Sequence, residues 1–420
     1  MEIAHVLRCM APRMTGHVHS VTGFGTVMAA WGHRVTYWSA AHAADRRRIG
    51  SPNPSMRVFD MRRPHGWFYS PALALALKYE IGDIDLVHVH GLWSHPNWAA
   101  VRIAARADVP CLLSPHGELS PWALRRTWAK RLKKAMFLAS LGRSIFRGIH
   151  CLHALSRTEA GAFRQAGYRG PVTIVPNGVD AGQFAQLPDA DCAEERFPEL
   201  SGRRVVLFIG RISPEKGLDA LLSALARLVQ RPSFDDVLLV LAGIDDGGHM
   251  THIRGLIDRL GLTEHVLLPG CVHIKAKRHL LARCDLFVLP SHSEGFSMAV
   301  LEALASARPV LVTPACGFPD IVHAQAGLCR PAQPEALAEG LMHLLDLSPD
   351  HRDKLGRRGH RLVLDRYTWP RQAARMLTVY RAMLEGGEIP EEPQPDEVLA
   401  EDSSSNLEPS AVDWAQCLES

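Results

Sequence analysis

The chain is 420 residues long and 47% hydrophobic, enough for two domains of about 150–200 residues, each with its own core. No apolar run approaches the roughly 20 residues of a membrane-spanning helix, and nine scattered cysteines with no C-x-x-C pair argue against a disulfide framework or a zinc ribbon and fit a reducing compartment. The net charge of +3 hides an asymmetry: residues 385–420 hold 11 acidic residues and no Lys or Arg, which leaves residues 1–384 with 47 basic against 33 acidic, a balance suited to nucleotides, phosphorylated carriers or an anionic membrane face.

MEIAHVLRCM lacks the long apolar region and cleavage site of a signal peptide and reads as a first strand. Strand-like runs follow at 33–38, 85–90 (DLVHVH), 109–113 and 149–155, with helical patterns at 95–107 and 122–141 between them. Such alternation predicts a parallel sheet with helices on both faces. Residues 176–203 open with PNGVDAGQF, continue rich in Pro, Asp and Glu, and read as an interdomain linker. The alternation then resumes, with strands at 204–209, 236–242, 265–268, 285–290 and 309–313 and helices at 217–229, 249–260, 275–282 and 297–306. Past Leu384 the composition turns to EEPQPDE and SSSN, and a disordered acidic tail over 385–420 is expected. Cys111, Cys151, Cys271 and Cys284 lie in apolar contexts and read as buried small hydrophobes.

Open parallel sheets bind ligands at the carboxyl ends of their strands, so two such domains facing each other place a site in the cleft between them. Strand 204–209 runs into GRISPEKG. Arg211 offers a planar fork for phosphate oxygens and Lys216 a mobile point charge; the same pattern also describes a solvated loop with ordinary cations. Strand 285–290 runs into SHSEGFSMAVLE. Gly295 allows close backbone approach, and the amides of Phe296, Ser297 and Met298 lie at a helix start, where anions bind. Glu294 and Glu302 are placed to accept from hydroxyls on either side of such a phosphate. Their alternatives are a carboxylate favouring the helix dipole and a solvated helix face.

GRISPEKG followed by EGFSMAVLEALASARPV, with the spacing Glu294-x7-Glu302, resembles the retaining family 4 glycosyltransferases of the GT-B fold. PNGVDAGQF resembles the interdomain segment of that family, and YTWPRQAARMLTVYRAML (367–384) its last helix, which crosses back onto the N-terminal domain. The resemblance covers residues 1–384. It implies two doubly wound, Rossmann-like domains facing across a cleft: an acceptor-side domain over 1–175, a nucleotide-sugar domain over 204–366 and a closing helix over 367–384. It further implies that Arg211 and Lys216 hold the donor diphosphate, that Glu294 binds donor sugar hydroxyls, that the amides after Gly295 touch sugar or phosphate, and that Glu302 binds the ribose. The base is expected near Gly270–Val272. His116, after strand 109–113 in SPHGELSPWAL, matches the active-site histidine that contacts the transferred sugar, where it would position and polarise hydroxyls. That run also resembles a bacterial subset that builds surface polysaccharides.

Departures from the family pattern are visible. Many relatives carry a Gly-Gly pair after the first strand, whereas RMTGHVHSV leaves only Gly16 as a phosphate contact. Ser297 and Ala307 stand where many relatives have Gly. Other motifs are weaker. GFGT (23–26) begins like a dinucleotide fingerprint, but Met28 occupies the third glycine position and no acidic residue follows strand 33–38. DID (83–85) and DAD (189–191) spell a metal motif of another glycosyltransferase fold away from any strand exit. His88 and His90 share one strand face, but no third metal ligand stands at a telling spacing. Neither a metal nor another cofactor is therefore expected, and charge on the leaving diphosphate would fall to Arg211, Lys216 and helix dipoles. Residues 121–141 form a basic helix, with Trp128, Leu132, Ala135, Met136 and Ala139 on one stripe and Arg125, Arg126, Lys130, Arg131, Lys133 and Lys134 supplying charge. It is a candidate for docking on anionic lipid.

Together these observations predict a cytoplasmic enzyme that moves a hexose from a nucleoside diphosphate sugar to a glycan or lipid-linked acceptor hydroxyl with retention, at or near the inner face of the membrane. A nucleotide-sugar epimerase of similar architecture and a catalytically silent sugar-nucleotide-binding protein are the rivals. Donor conversion without acceptor marks the first, and donor binding without turnover the second.

Overall fold

The computed structural model describes residues 1–10, 15–42, 55–122 and 128–395. They divide into two compact units: the first comprises residues up to Gly178 together with those from Trp369 onward, and the second Val179–Thr368.

In chain order the first unit contains β1 (Glu2–Leu7), α1 (Thr15–Ala30), β2 (Arg34–Ala41), β3 (Met56–Asp60), α2 (Pro71–Glu80), β4 (Leu86–His90), α3 (His95–Ala107), β5 (Cys111–Ser114), α4 (Trp128–Phe137), α5 (Arg143–Gly148), β6 (Cys151–Ala154), α6 (Arg157–Gln165) and β7 (Val172–Ile174). The strands form a seven-stranded sheet, ordered β3-β2-β1-β4-β5-β6-β7, with every pair parallel. The β4 run LVHVH and the β5 run CLLS are buried throughout because helices cover both faces, as parallel sheets require. On one face Val6, Val87, Val89 and Leu113 pack with Leu73, Leu77, Ala100 and Val101 from α2 and α3.

The second unit contains α7 (Ala181–Ala185), α8 (Asp191–Arg196), β8 (Arg204–Ile209), α9 (Leu218–Val229), β9 (Val237–Ala242), α10 (His249–Arg259), β10 (Val266–Gly270), α11 (Ile274–Arg283), β11 (Leu286–Leu289), α12 (Met298–Ala305), β12 (Val310–Val312), α13 (Asp320–His323), β13 (Gly327–Cys329), α14 (Pro334–Asp346) and α15 (Pro349–Arg366). Its six strands are ordered β10-β9-β8-β11-β12-β13 and are all parallel. The final helix, α16 (Trp369–Leu384), returns to the first unit. Its Ala373, Met376, Leu377 and Tyr380 join Val21, Phe24 and Met28 of α1 over Ile3, Leu7 and Leu112, which closes the second face of that sheet.

Several readings change. The expected linker carries helices: Asp180 caps α7 by accepting from the Gln183 N–H, and α8 and a 3-10 turn at Pro198–Leu200 follow. The start of the acidic tail is ordered, because Ile174 N–H donates to the Glu391 carbonyl at 2.6 Å and Thr173 Oγ1 to that of Pro390 at 2.9 Å, covering the edge strand β7. Residues 396–420 lie outside the described residues. Cys271 is exposed, because it follows β10 on a loop. GFGT lies inside α1, where a Cβ on Gly23 would come within 2.2 Å of the Trp369 ring; the glycine serves the close packing of α1 on α16. Asp85 is structural, accepting from the Glu2 N–H at 2.8 Å to pin the start of β1.

Candidate functional site

In the second unit the strand order reverses between β8 and β11, and the loops that leave these two strands carry the predicted donor residues. The first loop closes a 3-10 turn, Pro214–Lys216, and Gly217 turns left-handed (φ 66°) before α9. A side chain at Gly217 would meet the Pro290 carbonyl oxygen at 2.2 Å, so only glycine lets the two loops touch. His292 N–H donates to the Glu215 carbonyl at 2.8 Å and sets their register.

Lys216 Nζ and Ser291 Oγ both donate to Glu294 Oε1, the latter at 2.7 Å. The Lys216 and Glu294 side chains are only 12% and 13% exposed, so each charge depends on the other. Among the described residues Glu294 Oε2 takes no hydrogen bond. Ser297 is the N-cap of α12, accepting from the Val300 N–H at 3.4 Å. Its side chain thus fixes the helix start, whose first-turn amides lack intrahelical acceptors. Gly295 lies in the bend before it. Phe296 is buried, its ring 4.8 Å from Phe318 and 5.7 Å from Tyr367, and anchors the bend from below. Glu302 lies little more than one turn into α12, and both its oxygens bind Lys277 Nζ, at 3.0 and 2.9 Å. Arg211 pairs with Asp246, and with Glu215 Oε1 at 3.0 Å, so an arriving phosphate must draw its guanidinium from two carboxylates.

Sequence reasoning missed Lys277 and Ser291. Ser291 was visible in the quoted motif. Lys277 sits 25 residues before Glu302 on another helix, and only the α11–α12 approach makes it a partner.

In the first unit His116 follows β5 in a left-handed conformation (φ 51°), with Gly117 left-handed as well (φ 78°). Two carboxylates secure this loop. Glu159 accepts from Gly117 N–H at 2.6 Å and from Leu155 N–H at 2.8 Å. Glu118 accepts from Leu92 N–H at 2.6 Å. Burial pushes the Glu159 carboxyl up to about 7 despite the two amides. Gly16 lies in the first turn of α1, not in a loop.

Beneath His116 lies a feature that the sequence reading did not anticipate. His5 of β1 stands opposite His88 of β4. Its imidazole nitrogen, with one from each of His88 and His90, falls within a 4.8 Å cluster, so a third imidazole does exist. Hydrogen bonds fill that cluster. Tyr380 OH lies 2.7 Å from His88 Nδ1, Ser114 Oγ 2.6 Å from His88 Nε2 and 2.6 Å from His153 Nδ1, and His153 Nε2 2.7 Å from the Val175 carbonyl. A carbonyl only accepts, so His153 carries its proton on Nε2. Ser114 must then donate to His153, His88 Nε2–H to Ser114, and Tyr380 O–H to His88. Burial holds His5 down at about 3 and His153 at about 4. Burial first, and neighbouring imidazoles second, keep His88 and His90 well below the usual range.

Of the basic helix, Arg125 and Arg126 lie outside the described residues. Leu132 and Met136 on α4 are 56% and 62% exposed, while Lys134 Nζ sits 5.1 Å from the Trp93 ring centroid. Among the described residues no helix is long and apolar enough to cross a membrane.

Two doubly wound parallel sheets, one carrying a Lys-Glu grip at its switch point, define the GT-B class. The profile named Glycosyltransferase Family 4 matches residues 14–183 and that named Glycosyl transferases group 1 matches residues 192–362. The D-inositol 3-phosphate glycosyltransferase of Segniliparus rotundus is 31% identical over 240 residues, 56% of this chain and 53% of that protein; this chain thus spans about half of that relative's length. The protein of the same name from Thermobispora bispora is 30% identical over 329 residues, 76% of this chain and 75% of that one. The crystal structure of HepE from Anabaena in complex with UDP and glucose is similar in fold, with a TM-score of 0.72 at 21% identity, covering 91% of this chain and 100% of that chain. The chain belongs to the group 1 glycosyl transferases, glycosyltransferase family 4.

Proposed function

We propose that the protein transfers a sugar from a nucleoside diphosphate sugar to an acceptor hydroxyl with retention at the anomeric carbon. The observation that carries this is the Glu294 carboxylate: Lys216 neutralises Oε1, while Oε2 remains an acceptor beside the capped start of α12. Glu294 would bind donor sugar hydroxyls through Oε2. Lys216, Arg211 and the α12 amides after Gly295 would take the diphosphate. Glu302, held by Lys277, would accept from the ribose. His116 would position a hydroxyl of the transferred sugar. In same-face attack the leaving phosphate takes the acceptor proton, so the protein's part is positioning and charge stabilisation. An acceptor in cell-surface polysaccharide or glycolipid assembly fits the exposed Leu132 and Met136 beside lysines on α4, which suit an anionic membrane surface.

The test is thermal unfolding of wild type and Glu294→Gln with UDP-, GDP- and ADP-sugars and the bare diphosphates. One nucleotide should raise the wild-type Tm by roughly 5–10 °C at a hundredfold excess over Kd, and its sugar should add an increment absent in Glu294→Gln. If no nucleotide shifts either protein, the donor site is refuted.

A further inference from the structure

One group of buried side chains is left without a role by the donor site: the imidazoles that lead to His116. His5 Nδ1 lies 2.8 Å from His90 Nε2, and His90 Nδ1 lies 3.0 Å from His116 Nε2. The rings of His90 and His116 stack with centroids 5.3 Å apart, and those of His5 and His90 at 5.1 Å. His5 and His90 are fully buried, whereas His116 is half-buried. At the far end His5 Nε2 is buried without any hydrogen-bond partner.

These distances admit two proton arrangements. In one, each ring donates toward His116: His5 Nδ1–H to His90 Nε2, then His90 Nδ1–H to His116 Nε2. In the other every proton is reversed, and His5 carries an N–H on its orphaned Nε2. A buried N–H with no acceptor is the costlier and rarer orphan. The first arrangement leaves only a bare lone pair there. The hydrogen-bonded nitrogens of His5 and His90 do not suit a metal ion as they stand. Two imidazoles on a tetrahedral ion hold their nitrogens about 3.3 Å apart, wider than the 2.8 Å between His5 and His90, and both His88 nitrogens are bonded.

We propose that His5 and His90 form a buried relay that fixes the tautomer of His116, holding its Nε2 as an acceptor and its proton on Nδ1. The inference deepens the transferase reading and rests on it for its consequence. His90 is a positioning residue: it turns His116 into a defined N–H donor for a sugar hydroxyl or a leaving-group oxygen. The groups around the relay are His88, whose ring is 4.1 Å from that of His90, Tyr37 stacked on His5 at 5.7 Å, Tyr380 and His153 through His88 and Ser114, and Glu118, Glu159 and Arg8 at the His116 loop. Burial keeps the His5, His88, His90 and His153 rings neutral at ordinary pH, as a one-way relay needs.

The experiment is long-range 1H–15N correlation on the full chain labelled with 15N-histidine, at pH 8. His116→Ala and His90→Leu assign the signals. The expected result is the Nδ1–H form for His5, His90 and His116, against the Nε2–H form for His88 and His153 as internal contrast. An Nε2–H form of His116 in the wild type overturns the relay, and this readout requires neither variant activity nor a known acceptor. With the nucleotide sugar selected by thermal shift, His90→Leu should lower kcat on the order of tenfold to a hundredfold at unchanged donor KM. His90→Asn, whose amide N–H stands where Nδ1–H does, should recover part of it. If His116→Ala keeps full turnover, the catalytic reading of His116 fails while the spectrum still decides the relay.

Discussion

At the scale of single residues, Ala307 shows how a departure in sequence becomes a cost in structure. It follows α12 with φ 53°. Ala307 N–H donates to the Leu304 carbonyl at 3.0 Å and Arg308 N–H to that of Ala303 at 2.9 Å, the two bonds of a Schellman ending, whose left-handed position favours glycine. A Cβ there costs about 1–2 kcal/mol, against about 0.5–1 kcal/mol of extra chain entropy for glycine. Ala307→Gly should therefore stabilise the protein by about 0.5–1 kcal/mol in urea unfolding; unchanged or lower stability would contradict this account. Arg211, Lys216 and Glu294 could be singled out as candidates for a simple reason: they lie just past strands, and strand exits can be read from apolar runs. His5 and Lys277 were not, because their partners are set by strand register and helix approach, which no local pattern encodes.

At the scale of elements, the central strands of both sheets were visible as apolar runs, whereas β3, β7 and β13 were not. All three are edge strands, and MRVFD and GLC carry too little apolar pattern to stand out. The same scale holds the buried histidines of β1, β4 and β6. Their folded pKa values lie below the unfolded value of about 6.5, so their contribution to stability is complete above that pH. It is lost as pH falls, because the unfolded chain takes up protons that the folded unit refuses. Glu159 acts in the opposite sense: with its carboxyl raised to about 7, its contribution fades as pH rises from about 4.5 to 7. The imidazoles outnumber it. The first unit should lose roughly 4 kcal/mol per pH unit below about pH 6, read from urea titrations at pH 7.5, 6.5 and 5.5. A flat profile across that range would show that these rings are protonated in the fold.

At the scale of the molecule, the second unit is an insertion in the first, and its two ends are neighbours. Val179 N–H donates to the Tyr367 carbonyl at 2.8 Å, and Val179 bridges Thr368. A segment whose ends meet folds without its host when its core is its own. Residues 179–368 expressed alone should melt cooperatively in circular dichroism and keep the nucleotide response of the full chain; a non-cooperative melt would show that the boundary is wrong. The same topology governs synthesis. The core of the first unit stays open until α16 packs on α1, and α16 is made after the whole of the second unit. On the ribosome, then, the unit that begins the chain is the last to finish folding. Its sheet, complete in all seven strands but open on one face, must wait about 190 residues, roughly 10–40 s at the usual 5–20 residues per second, with the seat of α16 uncovered. Slow translation of that interval, rather than any weakness in the finished fold, is where this protein is most exposed to aggregation.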